Sequence, residues 1–201
     1  MDQERKDSEG QDTRTRILEA AAELVHAQGF NHTGIQQILN RCQVPKGSFY
    51  FYFKSKEDLG LKLVDHHMAF FGERAGALLR DGARPPLERL KAFLDWFAEH
   101  FRANGYTCGC PLGNLIQEMS DLSPAFRDKL GEAVDRLAGA IGAVIAEAVQ
   151  RGDCAPDIDP EVAARVVLSG WQGALMYMKL YKSGEPLQDF SDMVFGRLLG
   201  K

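Results

Sequence analysis

The stretch from Thr33 to Lys56, TGIQQILNRCQVPKGSFYFYFKSK, most constrains what this 201-residue chain can fold into. Apolar residues recur at helical spacing on both sides of a short break at residues 41–44, which predicts two short helices joined by a tight turn. Pro45 suits the first turn of the second helix, where its missing N–H costs no hydrogen bond. The second helix brings small, aromatic and basic side chains close together. The stretch therefore predicts a compact helix-turn-helix unit.

The charge of the chain is concentrated around this unit. Residues 13–56 carry six basic and two acidic side chains, whereas the whole chain has a net charge of −4. A basic patch of this kind, localised in an otherwise acidic protein, is what binding to phosphate requires. Together with the small and aromatic residues of the second helix, it indicates insertion into a DNA major groove.

The rest of the chain follows a helical pattern without strict period-two alternation, so we predict an all-α protein of about nine helices. We expect a flexible arm at residues 1–11 and a first helix starting near Asp12 or Thr13. A three-helix, helix-turn-helix DNA-binding domain is predicted at residues 12–56, with Thr33 capping its second helix. Residues 57–201 are predicted to form a second helical domain, to which the resemblance given below assigns effector binding and dimerisation.

Several other classes of protein are disfavoured. The longest apolar runs are too short to span a bilayer, and the charged N-terminus has no apolar segment of a secretory signal, so we expect a cytoplasmic protein with no membrane partner. Cys108 and Cys110 form a CxC pair without the further ligands of a zinc site, and we expect neither a metal nor a cofactor. No P-loop, GxGxxG, HExxH or GxSxG motif occurs, which leaves a small helical enzyme as a remote alternative.

The candidate DNA contacts follow from side-chain chemistry. Lys46 and Ser48 can hydrogen-bond base edges, and Gly47 keeps the helix surface low. Phosphate is within reach of Tyr50, Tyr52, Lys54 and Lys56. Phe51 either contacts a thymine methyl group or packs inside. The residues predicted to contact DNA are Thr33, Lys46, Gly47, Ser48, Tyr50, Phe51, Tyr52, Lys54 and Lys56.

The segment TRILEAAAELVHAQGFNHTGIQQILNRCQVPKGSFYFYFKSKEDL resembles the TetR family of one-component bacterial transcription regulators, most specifically in VPKGSFYFYFKSKE. The resemblance implies a homodimer that binds a near-palindromic, double-stranded operator, in most members as a repressor. It also implies that the last two helices pair into a four-helix bundle. Candidate interface residues are Gly170, Trp171, Ala174, Leu175 and Met178, which are equally consistent with packing inside one chain.

The segment CGCPLGNLIQEMSDLS at 108–123 resembles a subgroup related to the repressors of the N-ethylmaleimide reductase and acrylate-utilisation systems. The resemblance implies that Cys110 senses electrophiles or oxidants. Cys110 precedes a predicted helix N-terminus, where the helix dipole favours a thiolate, and Cys108 could serve as a resolving thiol. The alternative is that Cys110 is a small buried packing residue and that the effector is a hydrophobic ligand bound non-covalently. Candidate effector residues, each equally consistent with ordinary core, are Phe70, Phe93, Phe97, Met119 and Trp171.

Overall fold

The computed structural model describes the backbone of residues 2–200 and the side chains of residues 12–200. Within that range the chain forms nine α-helices and one π-helical turn and contains no strand, which confirms the all-α prediction. The helices are α1 (Asp2–Gln28), α2 (Ile35–Cys42), α3 (Lys46–Tyr52), α4 (Lys56–Leu79), α5 (Pro86–Ala103), α6 (Pro111–Met119), α7 (Pro124–Arg151), α8 (Pro160–Tyr181) and α9 (Glu185–Met193), followed by the π-helical turn Val194–Leu198.

Helix α1 begins earlier than the sequence pattern predicted. Its first residue is Asp2, so the backbone is helical at residues 2–11, where we predicted a flexible arm. These residues are mostly Glu, Arg, Lys and Gln, which have high helix propensity even without an apolar stripe. Met1, and the side chains of residues 2–11, lie outside the described part of the chain.

The start of α2 also differs from the prediction. Its N-cap is Gly34, whose backbone N–H donates to Oε1 of Gln37 at 2.8 Å. Thr33, the predicted cap, is fully buried, and its hydroxyl donates to the carbonyl of Gly29 at 2.7 Å. Thr33 therefore stabilises the turn before α2 and does not cap the helix.

The chain divides into two compact units. The first unit comprises Met1–Ala69 with Asn114–Leu130, and the second comprises Phe70–Gly113 with Gly131–Lys201. The predicted division at residues 56 and 57 follows the sequence motif, whereas these units follow packing. Helices α4, α6 and α7 each contribute residues to both units.

The core of the first unit is built around aromatic rings. Phe49 and Phe53 are buried with ring centres 5.5 Å apart, and their packing fixes α3 to the core of the first unit. Phe30 and Phe126 meet edge to face at 5.1 Å over Gly60. A Cβ atom at Gly60 would lie 2.4 Å from Phe126, so this contact requires glycine.

The second unit buries mainly aliphatic and aromatic side chains of α5, α7 and α8. Leu90, Ile145, Val167 and Met178 are fully buried at its centre. Among the described residues, no helix is both long and apolar enough to cross a membrane.

Candidate DNA-binding surface and sensor segment

The turn between α2 and α3 sets the direction of α3. Gln43 adopts a left-handed conformation with φ 55°, and the N–H of Val44 then donates to the carbonyl of Leu39 at 3.0 Å. Pro45 is the N-cap of α3, whereas we expected it inside the first turn. The helix therefore begins one residue later, at Lys46. The buried Val44 and Phe49 anchor this turn on the core of the first unit, so the opposite side of α3 is left exposed.

The exposed side of α3 carries most of the predicted DNA contacts. Lys46 and Gly47 are exposed, as are Tyr50 at 62% and Phe51 at 83% of their surface. Phe51 therefore does not pack inside the chain, and its ring lies open on this side of α3. No atom lies within 4 Å of a Cβ atom added at Gly47, so packing within the chain does not require glycine there. Ser48 and Tyr52 are half-buried at the edges of this surface.

Two residues that were predicted to contact phosphate, Thr33 and Lys56, are not fully exposed. Thr33 is buried and has no exposed atom to offer a phosphate, so the structure corrects that assignment. Lys56 is half-buried, and its ammonium group donates to the carbonyl of Asn31 at 3.3 Å and lies 4.7 Å from the ring centre of Phe30. Burial lowers the pKa of Lys56, and the nearby carboxylate of Glu118 partly offsets this by raising it. Lys54 remains exposed, two residues before α4 begins.

Cys110 lies at the N-terminus of α6, as the sequence predicted. Its Sγ lies 3.5 Å from the backbone nitrogen of Gly113, which donates to it, so the sulfur occupies the position of an N-cap acceptor. Cys110 and Cys108 are both half-buried. Cys108 has φ 65° and the following Gly109 has φ 77°, a conformation that is unfavourable for the side chain of Cys108.

The predicted effector residues do not form one pocket. Met119 belongs to the first unit, and the other four belong to the second. Phe93 and Trp171 are buried in the core, whereas Phe70 is 66% exposed. A cleft of about 210 Å³ between α5, α8 and α9 is lined by Trp171 but not by Phe70, Phe93 or Phe97. Sequence reasoning missed Tyr106, which lines this cleft, because the residue lies in a loop without periodicity.

The candidate interface residues pack inside one chain, which is one of the two roles left open for them by the sequence. Trp171, Ala174, Leu175 and Met178 are buried within their own chain, and a Cβ atom at Gly170 would lie 2.6 Å from Phe190. They pack α8 onto its own unit and are not available to a partner. The opposite side of α8 is exposed and apolar, a feature that we missed because both sides of this helix are apolar. Its exposed residues are Val162, Val166, Met176, Tyr177, Leu180 and Tyr181.

The described side chains, residues 12–200, include no group of three or more His, Cys, Asp or Glu residues placed to hold a metal ion.

The carboxylate of Glu118 accepts hydrogen bonds from backbone N–H groups of the turn after α1. Sequence reasoning gave Glu118 no role, because its partners lie 87 and 88 residues away along the chain.

Two protein-family models match the chain. The model described as "Bacterial regulatory proteins, tetR family" matches residues 17–63, which include α2 and α3. The model described as "Tetracyclin repressor-like, C-terminal domain" matches residues 86–194 and so covers more than half of the chain.

Individual proteins match over nearly the whole length. The transcriptional regulator AcuR of Cereibacter sphaeroides is 34% identical, over 90% of this chain and 82% of the relative. The HTH-type transcriptional repressor NemR of Escherichia coli K12 is 32% identical, over 89% of each chain. The crystal structure of the reduced form of E. coli NemR superposes with a TM-score of 0.85 at 29% identity, over 92% of this chain and 96% of that one. The chain therefore belongs to the TetR family of bacterial transcriptional regulators.

Proposed function

We propose that the protein is a cytoplasmic, homodimeric repressor that reads a near-palindromic operator with one α3 helix from each protomer. The observation that carries this proposal is the exposed side of α3. Lys46, Tyr50 and Phe51 project from a helix that the buried Phe49 fixes to the core. A lysine can donate to guanine, a tyrosine hydroxyl to phosphate, and a phenylalanine ring can contact a thymine methyl group.

The exposed side of α8 supports the dimer. Its apolar residues share one side of a 22-residue helix and include Met176 and Leu180, each 68% exposed. Gly173 lies in the middle of this side, and, apart from its chain neighbours and the adjacent backbone of α8, no atom of its own chain lies within 4 Å of a Cβ atom added there. An apolar stripe with a small residue at its centre permits close approach of the same helix from a second copy about a two-fold axis.

We assign the signal to an electrophile that reacts with Cys110. The backbone N–H of Gly113 and the N-terminus of α6 both stabilise negative charge on the sulfur. In the reaction with a quinone, the thiolate attacks a ring carbon and forms an S–C bond. The displaced electron pair moves to the quinone oxygen, which takes up a proton, and no group leaves. Modification of this position changes the first turn of α6 and lowers the affinity for the operator.

The cleft of about 210 Å³ beside Trp171 supports a second candidate, a hydrophobic effector bound without covalent chemistry. Trp171 and Leu187 give the cleft an apolar wall, and Tyr106 adds a phenol group. Under this alternative the protein is still a repressor, but its response does not depend on Cys110.

Replacement of Cys110 by serine distinguishes the two candidates. A duplex selected from a random library by the wild-type protein serves as the operator, and p-benzoquinone serves as the electrophile. We expect quinone to weaken operator binding of the wild type at least tenfold and to leave Cys110→Ser bound. Cys42→Ser, which changes another half-buried cysteine, is the matched control and should respond like the wild type. Equal release of wild type and Cys110→Ser would reject the assignment to Cys110.

A further inference from the structure

A carboxylate in α6 holds the turn that connects α1 to α2. Oε2 of Glu118 accepts the N–H of Phe30 at 2.7 Å, and Oε1 accepts the N–H of Asn31 at 2.6 Å. Gly29 has φ 90°, a left-handed conformation that turns these two successive N–H groups to the same side. Successive backbone N–H groups of this kind form a small concavity that binds anions. Here the anion is a side chain of the protein itself.

The Glu118 carboxylate lies close to the C-terminus of a helix, where a negative charge needs compensation. The C-terminus of α1 carries partial negative charge, which disfavours a carboxylate nearby. Lys56 compensates for this, because its ammonium group donates to the carbonyl of Asn31 and lies close enough to Glu118 for the carboxylate to raise the pKa of Lys56. We call Glu118, Lys56 and the turn Gly29–Asn31 the α6 latch.

Further contacts within the first unit tie the same segment of chain to α4. The hydroxyl of Ser123 donates to Glu57 at 2.5 Å, and Lys129 forms an ion pair with Asp65 at 2.5 Å. Phe126 also packs on Phe30, which belongs to the α6 latch. Residues 114–130 are therefore part of the compact unit that carries α3, although they lie more than 60 residues later in the sequence.

We propose that Glu118 is a positioning residue that couples the state of α6 to the DNA-reading helix through the turn after α1. The inference rests on the proposed function, in which Cys110 is modified at the opposite end of the same nine-residue helix. A helix transmits a shift of its first turn to its last turn because its backbone hydrogen bonds make it stiff. An adduct on Cys110 therefore withdraws Glu118 from Phe30 and Asn31, and the turn that orients α2 and α3 is released.

The first test compares operator binding of Glu118→Gln with that of the wild type. The amide offers one acceptor oxygen and directs its own N–H₂ group at the second backbone donor, so the latch is weakened with little change in size. We expect about tenfold weaker operator binding without quinone and a quinone effect reduced from at least tenfold to less than threefold. Glu118→Asp keeps the charge but is one methylene shorter, and it should behave like Glu118→Gln.

The matched control is Asp121→Asn, which removes a carboxylate three residues away on an exposed position. It should bind the operator and respond to quinone as the wild type does. Thermal melting of each variant measures folding separately. If Glu118→Gln and Glu118→Asp both keep the wild-type quinone response, the coupling role is overturned.

A second readout reports the latch directly, through amide hydrogen exchange at Phe30 and Asn31 measured by NMR. We expect both amides to exchange at least tenfold faster in Glu118→Gln than in the wild type without any effector. Quinone should cause the same acceleration in the wild type but not in Cys110→Ser. Unchanged exchange at both amides in Glu118→Gln overturns the latch. If the wild type does not respond to quinone at all, the sensor assignment to Cys110 fails, and the exchange rates of Glu118→Gln still decide whether the latch exists.

Discussion

Leu180 provides a quantitative test of the dimer interface that we propose on the exposed side of α8. Its side chain is 68% exposed in the single chain. Full burial of a leucine side chain stabilises by about 1.5–3 kcal/mol, so about two thirds of that value, roughly 1–2 kcal/mol, is available when a partner covers it. A two-fold interface contains the residue twice. Leu180→Ala should therefore weaken the dimer by about 2–4 kcal/mol, which corresponds to an increase of roughly 30-fold to 1000-fold in the dissociation constant.

Sedimentation equilibrium measures this constant directly. The matched control is Leu122→Ala, the same substitution at a leucine that is 66% exposed in the turn between α6 and α7. The control should leave the dimer unchanged. If Leu180→Ala and Leu122→Ala have the same dissociation constant as the wild type, the exposed side of α8 is not the dimer interface.

Two further predictions concern the stability of the first unit. Phe126→Ala removes a fully buried ring that packs on Phe30, and it should lower the free energy of unfolding in urea by about 3–5 kcal/mol; a loss below about 1 kcal/mol would contradict the packing described. Burial, together with His26 and His66, lowers the pKa of His67 to about 4. A histidine in the unfolded chain has a pKa near 6.5, so as the pH falls the unfolded state binds a proton before the folded state does. The free energy of unfolding of the wild type should therefore fall by up to about 3 kcal/mol as the pH drops from 6.5 to 4. Replacing His67 with glutamine should flatten this dependence, and an equal slope in both proteins would exclude His67 as its source.

The sequence predicted the helix-turn-helix unit well because local signals agree there. The turn at residues 41–44, Pro45 and the aromatic residues of α3 act on their immediate neighbours, so their effect can be read without knowledge of distant contacts. The exposure of Phe51 did not follow from these signals, since an aromatic residue is compatible with either side of a short helix.

The two sides of α8 show why the sequence left open which residues of this helix face a partner and which pack on their own chain. Trp171 and Met178 occupy one side, and Met176 and Leu180 occupy the other. Helical periodicity separates these two apolar sides but does not indicate which of them packs on the chain itself. That choice depends on α9, whose Phe190 covers Gly170.

Thr33 and Glu118 illustrate a second limit. A threonine hydroxyl can bind a phosphate or a backbone carbonyl, and the left-handed turn at Gly29 decides for the carbonyl. Glu118 binds backbone groups of the same turn from 87 and 88 residues away, and backbone donors carry no sequence signal. Contacts of this kind become visible when the fold is known.

The operator affinity of the Lys46→Ala, Tyr50→Ala double variant tests most directly whether the exposed side of α3 reads DNA. Each lost contact to a base or phosphate should cost about 1–3 kcal/mol, and two lost contacts about 2–6 kcal/mol, so we expect at least about 30-fold weaker binding in a titration against the selected duplex, with the dimer intact by sedimentation. Lys91→Ala, which removes an exposed lysine of α5 that is paired with Asp95, should bind as the wild type does. Unchanged operator affinity of the double variant, at the same salt concentration, would contradict the assignment of α3 as the DNA-reading helix.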